Sequence, residues 1–116
     1  MDERSSDKPL VWLIDTVKSP PLSEEARSET GFLLRKLQRG DSIGMPHSRP
    51  MPSIGRRCNE IRVPDKNVIW RLVYRIDNDA IVIAEVFSKK TQSTPRSIID
   101  VCRQRLRTYD ELNDSE

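Results

Sequence analysis

The chain has 116 residues, of which 33% are charged and 5% aromatic, with 20 Lys and Arg against 18 Asp and Glu. That length suits one domain built on a modest, mostly aliphatic core. Two cysteines without CxxC spacing (Cys58 and Cys102), one histidine and no apolar run near ~18 residues argue against a disulfide framework, a metal site and a membrane span. The expectation is a soluble, cytoplasmic protein with reduced thiols, no signal peptide, no metal and no cofactor. Charge is unevenly spread. Residues 1–55 carry 8 basic and 8 acidic side chains, residues 56–107 carry 12 and 6, and residues 108–116 carry 0 and 4. A local excess of this kind attracts polyanions through counterion release. Taken alone, it reads better as a solvated mixed-charge surface.

In chain order, residues 1–8 are polar and predicted to fray. Residues 9–14 (PLVWLI) predict a first strand lying beside a later sheet, with Trp12 packing rather than stacking on a base. Ser19-Pro20-Pro21-Leu22-Ser23 is a break followed by a helix start, with Ser23 as N-cap. Leu22, Ala26, Phe32, Leu33, Leu34 and Leu37 then recur at helical spacing. Gly31 interrupts the pattern at ~1 kcal/mol relative to Ala and predicts a kink or a division into two short helices. Gly40 is the natural stop. Residues 41–57 hold three Pro and two Gly and predict a loop. His47 lies in it, where plain exposure is the ordinary reading and a catalytic role the lesser one.

Residues 58–90 contain three β-rich runs, 60–63, 68–76 and 80–87. Turn chemistry separates them at Pro64-Asp65-Lys66-Asn67 and Asp77-Asn78-Asp79. Short connections of this type predict an antiparallel meander. With period two, Val68, Trp70, Leu72, Tyr74 and Ile76 share a core face with Ile61 and Val63. Ile69, Arg71, Val73 and Arg75 share the other face with Glu60 and Arg62. Thr94 as N-cap and Pro95 at the first position predict a last helix. Its apolar side is Ile98, Ile99, Val101, Cys102, Leu106 and Tyr109, its basic side Arg96, Arg103, Arg105 and Arg107, and residues 110–116 predict a fraying acidic end. The fold class is therefore α+β: a curled antiparallel sheet of about four strands, with N-terminal helices and a C-terminal helix packed on it. One domain spans 9–112, between flexible ends at 1–8 and 113–116.

Glu60-Ile61-Arg62, Arg71-Leu72-Val73-Tyr74 and Phe87-Ser88-Lys89-Lys90-Thr91, in that order, resemble the RelE/ParE toxin superfamily, and most closely its HigB-like, phage-derived branch. Met51-Pro52-Ser53-Ile54-Gly55 resembles the segment that precedes the catalytic sheet in that branch. The resemblance covers residues 9–112. It implies a RelE-like fold and a type II toxin that cleaves mRNA on the ribosome and is held inactive by a cognate antitoxin, a small helix-turn-helix protein. The same fold hosts ParE-like inhibitors of DNA gyrase, and a phage-derived module without activity is a further alternative, so fold alone does not discriminate.

Metal-free RNA cleavage requires a base for the ribose 2′-OH, stabilisation of a charged transition state, and a proton for the leaving 5′-oxygen. Guanidinium forks suit the second task. Arg71 is the first candidate, expected as a half-exposed sheet arginine; its structural alternative is an ion pair with Glu60 or Glu85. Arg62 matches the basic residue of the preceding strand, Lys89 and Lys90 end the last strand, and Glu60 is a candidate base or a partner that orients Arg62 or Arg71. Arg75, Arg96 and Arg103 are candidate RNA contacts. Tyr74 falls on the core face with a satisfied hydroxyl.

Overall fold

A computed structural model describes residues 7–14, 22–89 and 93–114. Its elements are β1 (Leu10–Trp12), α1 (Glu24–Gln38), β2 (Ser48–Pro50), β3 (Cys58–Asp65), β4 (Val68–Ile76), β5 (Ile81–Lys89) and α2 (Arg96–Asp114). The strands form one sheet in the order β1-β5-β4-β3-β2. The architecture is α+β as expected, but the sheet has five strands rather than about four and is mixed rather than antiparallel. β1 runs parallel to β5, with Leu10 opposite Ile81 and Trp12 opposite Ile83. β2 lies inside the Pro-rich stretch expected to be a loop, and pairs antiparallel with β3. No helix among the described residues is long and apolar enough to cross a membrane.

The expected meander is β3-β4-β5, and its alternation determines what each face buries. Ile61, Val63, Leu72, Tyr74, Ile81 and Ile83 pack with Ala26, Leu33, Leu34 and Leu37 of α1. The opposite face, Cys58, Val73, Ala80, Val82 and Ala84, packs with Cys102 and Leu106 of α2. Each helix thus covers one face. The apolar side chains that the sheet turns toward α2 are mostly small, Cys58, Ala80 and Ala84 among them. Ala84 is an extra residue between pairs Val73–Glu85 and Tyr74–Ile83, a β-bulge. Its carbonyl accepts a 2.8 Å hydrogen bond from Arg105 Nη1.

α1 is one continuous helix through Gly31, not two, because its buried stripe supplies more than the glycine costs. Ser23 caps it through the Ala26 amide at 3.1 Å. Gly40, at φ 93°, ends it: its N–H reaches Leu37 O and the Asp41 N–H reaches Lys36 O, a Schellman closure. Of the N-terminal segment, residues 1–6 lie outside the described residues. Lys8 is tied to the end of α1, its N–H donating to Gln38 O and its carbonyl accepting from Gln38 Nε2. Trp12, expected to pack, is 42% exposed on the edge strand. Trp70 is only half-buried against the α1 core, with its indole N–H on Asp65 Oδ2.

Asp65 joins the β3–β4 turn to the start of α1. Its Oδ2 accepts from the Ser23 backbone N–H at 2.9 Å and from Trp70 Nε1 at 3.0 Å. The Ser23 bond above all holds this carboxyl below the usual aspartate range. A folded-state value below the unfolded one stabilises the protein above the ordinary aspartate range, and that stabilisation is lost as pH falls through the lowered value. Asp65→Asn should remove this acid-dependent component. Hydrogen exchange should then speed up in the first turn of α1 while amides of the meander stay protected.

Candidate functional site

Glu60 occupies the middle of β3 with β2 on one side and β4 on the other. It is 0% exposed, on the α2 side of the sheet. A buried carboxylate is tolerated only when its lone pairs are engaged. Here Oε1 accepts from Arg71 Nη1 at 2.9 Å and from Arg49 Nε at 3.1 Å, and Oε2 accepts from Thr94 Oγ1 at 3.0 Å. Three donors thus come from β4, from β2 and from the segment leading into α2. Thr94 was expected to cap α2; its hydroxyl goes to Glu60 instead, and the helix starts at Arg96.

Arg71 is 1% exposed, which corrects the expectation of a half-exposed arginine. Period two assigned its face correctly, but α2 and the Thr94 segment roof that face over. The alternative pairing with Glu60 is the one found. Arg62 lies directly opposite Arg71 in the β3–β4 register. Two guanidiniums therefore stand side by side, and only one of them is on Glu60. Arg62 Nε is buried and has no hydrogen-bond partner among the described residues. Arg62 lines a cleft of about 250 Å³ with Pro46, His47, Pro64 and Ile69. Three guanidiniums against one carboxylate leave this corner of the sheet positive, a field that draws anions.

The other expected residues are distributed differently. Lys89 ends β5 opposite Ile69, two residues along from the Arg71–Phe87 pair. Lys90 lies outside the described residues. Arg75 is 8% exposed and is clamped by two carboxylates: Asp77 at 2.8 and 2.9 Å, and Asp110 of α2 at 3.0 and 2.7 Å. The Asp110 bonds above all raise the guanidinium beyond its usual affinity for its proton, and in return hold the Asp110 carboxyl below the usual range. Arg75 thus fastens the sheet to α2 with its guanidinium engaged by carboxylates, and residue 110 belongs to an ordered helix rather than a fraying end. Arg103 donates to Ser53 O at 3.1 Å, pinning α2 to the turn at residues 51–55. Arg96 is exposed and pairs with Asp100 one turn on.

Sequence reasoning missed Arg49 and Thr94. Nothing local in the Pro-rich stretch marks Arg49 as a strand residue facing Glu60. Nucleophile chemistry finds little support: both cysteines are free and buried, and burial pushes the Cys102 thiol up to about 12. Tyr74, as expected, is buried, with its hydroxyl 2.8 Å from Ser48 Oγ. Among the described residues no three His, Cys, Asp or Glu side chains converge as a metal site.

Because Glu60 has no exposed surface, removing one partner should be costly. Arg71→Ala should lower stability by on the order of 3–5 kcal/mol, the scale of breaking a buried pair. Replacing both partners with apolar side chains, Glu60→Leu with Arg71→Met, should recover much of that loss. Urea denaturation of the two variants checks this.

A family model described as phage-derived protein Gp49-like (DUF891) matches residues 21–107, 87 of the 116. The match begins just before α1 and ends inside α2, so it takes in the whole Glu60 cluster and the Arg62 cleft. No curated protein and no solved structure matches the chain. The family is associated with toxin–antitoxin toxins of the RelE/ParE-like type. With most of the chain, including its paired arginines, inside that match, the protein belongs to the Gp49-like family of phage-derived proteins.

Proposed function

We propose that this protein is the toxin of a type II toxin–antitoxin pair, with a RelE-like fold of the HigB-like branch, and that it cleaves mRNA on the ribosome without a metal ion. One observation carries the reading. Arg62 borders an open cleft with a buried Nε that no described residue satisfies, beside an Arg71 that Glu60 holds rigidly. A buried donor without a partner, on a side chain that borders an open cleft in a positive corner, favours an acceptor from outside. A phosphodiester oxygen meets the charge and the fork geometry together.

On this reading Arg62 grips the scissile phosphate and steadies the charge that grows on it. Both oxygens of Glu60 face inward and are occupied, so it positions Arg71 and Arg49 rather than meeting a 2′-OH. Arg71 keeps the local field positive from beneath. The ribosome supplies an attack-ready mRNA geometry, a contribution worth ~7–11 kcal/mol in well-oriented reactions. The cognate antitoxin, a small helix-turn-helix protein, restrains the toxin by complementing its positive charge.

Expression of the protein alone in a bacterium should arrest growth and generate new mRNA 5′ ends within translated frames. Arg62→Ala should cut that cleavage by ~10²–10³-fold, the scale of losing one transition-state donor, with little change in the unfolding midpoint. Growth arrest with intact mRNA and loss of DNA supercoiling would replace this reading with gyrase inhibition.

A further inference from the structure

We infer that His47 is the catalytic base that takes the proton of the attacking 2′-hydroxyl, an inference that rests on the RNA-cleavage reading above. The backbone places it there. β2 pairs with β3 at Ser48–Ile61 and Arg49–Glu60, and the Arg62 N–H donates to His47 O at 2.8 Å, which carries the pairing one step further. Ser48 faces the α1 side, where its hydroxyl meets that of Tyr74, and Arg49 faces the α2 side on Glu60. Alternation returns His47 to the α2 side, level with Arg62. His47 just before β2, Arg62 of β3 and Arg71 of β4 therefore form one row across the sheet.

His47 is exposed and lines the same cleft as Arg62. At about 250 Å³ that cleft is smaller than the ~300–1,000 Å³ of ordinary small-molecule sites, and it suits one sugar–phosphate unit. Among the described side chains, the candidates Glu60, Cys58, Cys102 and Tyr74 are occupied or enclosed. Glu60 is fully buried with both oxygens engaged. Cys58, Cys102 and Tyr74 are buried, and burial raises all three. Imidazole is also the side chain most often used as a general base.

In the step, the His47 imidazole takes the 2′-OH proton as O2′ bonds to phosphorus. The P–O5′ bond breaks, its electron pair stays on O5′, and water protonates that oxygen. The imidazolium returns its proton to the hydroxide so formed. The products are a 2′,3′-cyclic phosphate and a 5′-OH end, with Arg62 holding the non-bridging oxygens throughout.

The test uses the full chain with ribosomes translating a defined mRNA, under single-turnover conditions. His47→Ala should lower the cleavage rate ~10²–10⁴-fold, leave ribosome binding unchanged, and regain activity when imidazole is added to the solution. His47→Gln, which keeps a hydrogen-bonding side chain but cannot accept the proton, should stay as slow as His47→Ala. Cleavage by His47→Ala within twofold of wild type overturns the inference. So does a rate that glutamine restores, since that marks a positioning role. If the wild-type chain makes no cut at all, the RNA-cleavage reading itself has failed, and the inference falls with it.

Discussion

A carboxylate without exposed surface sits at the centre of the sheet, and the neighbouring segments are arranged to satisfy it. Glu60 fixes β4 through Arg71, β2 through Arg49 and the entry to α2 through Thr94. Taking such a group out of water costs several kcal/mol, which the Coulombic return covers only if the donors are well placed. That requirement explains why a three-residue strand forms in a Pro-rich stretch, and why Thr94 turns away from capping. It also explains how Arg62 is held at the edge of the cluster without being consumed by it.

α2 is held to the sheet in the same currency. Its first turn has no acidic residue and its last turn no basic one, the opposite of what the helix dipole favours. An isolated peptide of this sequence would gain nothing from its termini. Tertiary contacts compensate: Thr94 on Glu60 just before the helix, Arg105 on Ala84 O and Glu85 in the middle, and Arg75 on Asp110 towards the end. One of these contacts, Arg105 on Ala84 O, depends on an irregularity, the β5 bulge.

What the sequence made legible was local. Alternation sorted Ile61, Val63, Leu72 and Tyr74 onto the α1 face, and Ser23 and Gly40 marked the two ends of α1. What it hid depended on a third layer. Period two says which way Arg71 points but not whether a helix roofs that face, so a buried ion pair was read as a half-exposed phosphate ligand. Arg75 and Arg105 counted toward a basic surface, although one is spent on two carboxylates and the other on a carbonyl and Glu85. Gly31 suggests a kink or a division because propensity alone leaves out the packing that overrides it. Of the candidate site, Arg62 was legible through its strand position. Arg49 and Thr94 were not, because each reaches Glu60 from more than ten residues away.

The parallel pairing of β1 has a consequence in time. Leu10 meets Ile81, 71 residues later in the chain, whereas β3, β4 and β5 are joined by short turns. Closing the long span costs more chain entropy than closing a hairpin, and long-range pairings of this kind slow folding. On a translating ribosome β1 emerges early yet has nothing to bind until residues 81–83 have been made. Of this sheet's strands, β1 is made before the others yet is among the last that can be placed, and until then the nascent chain carries Leu10, Val11 and Trp12 without their partner strand.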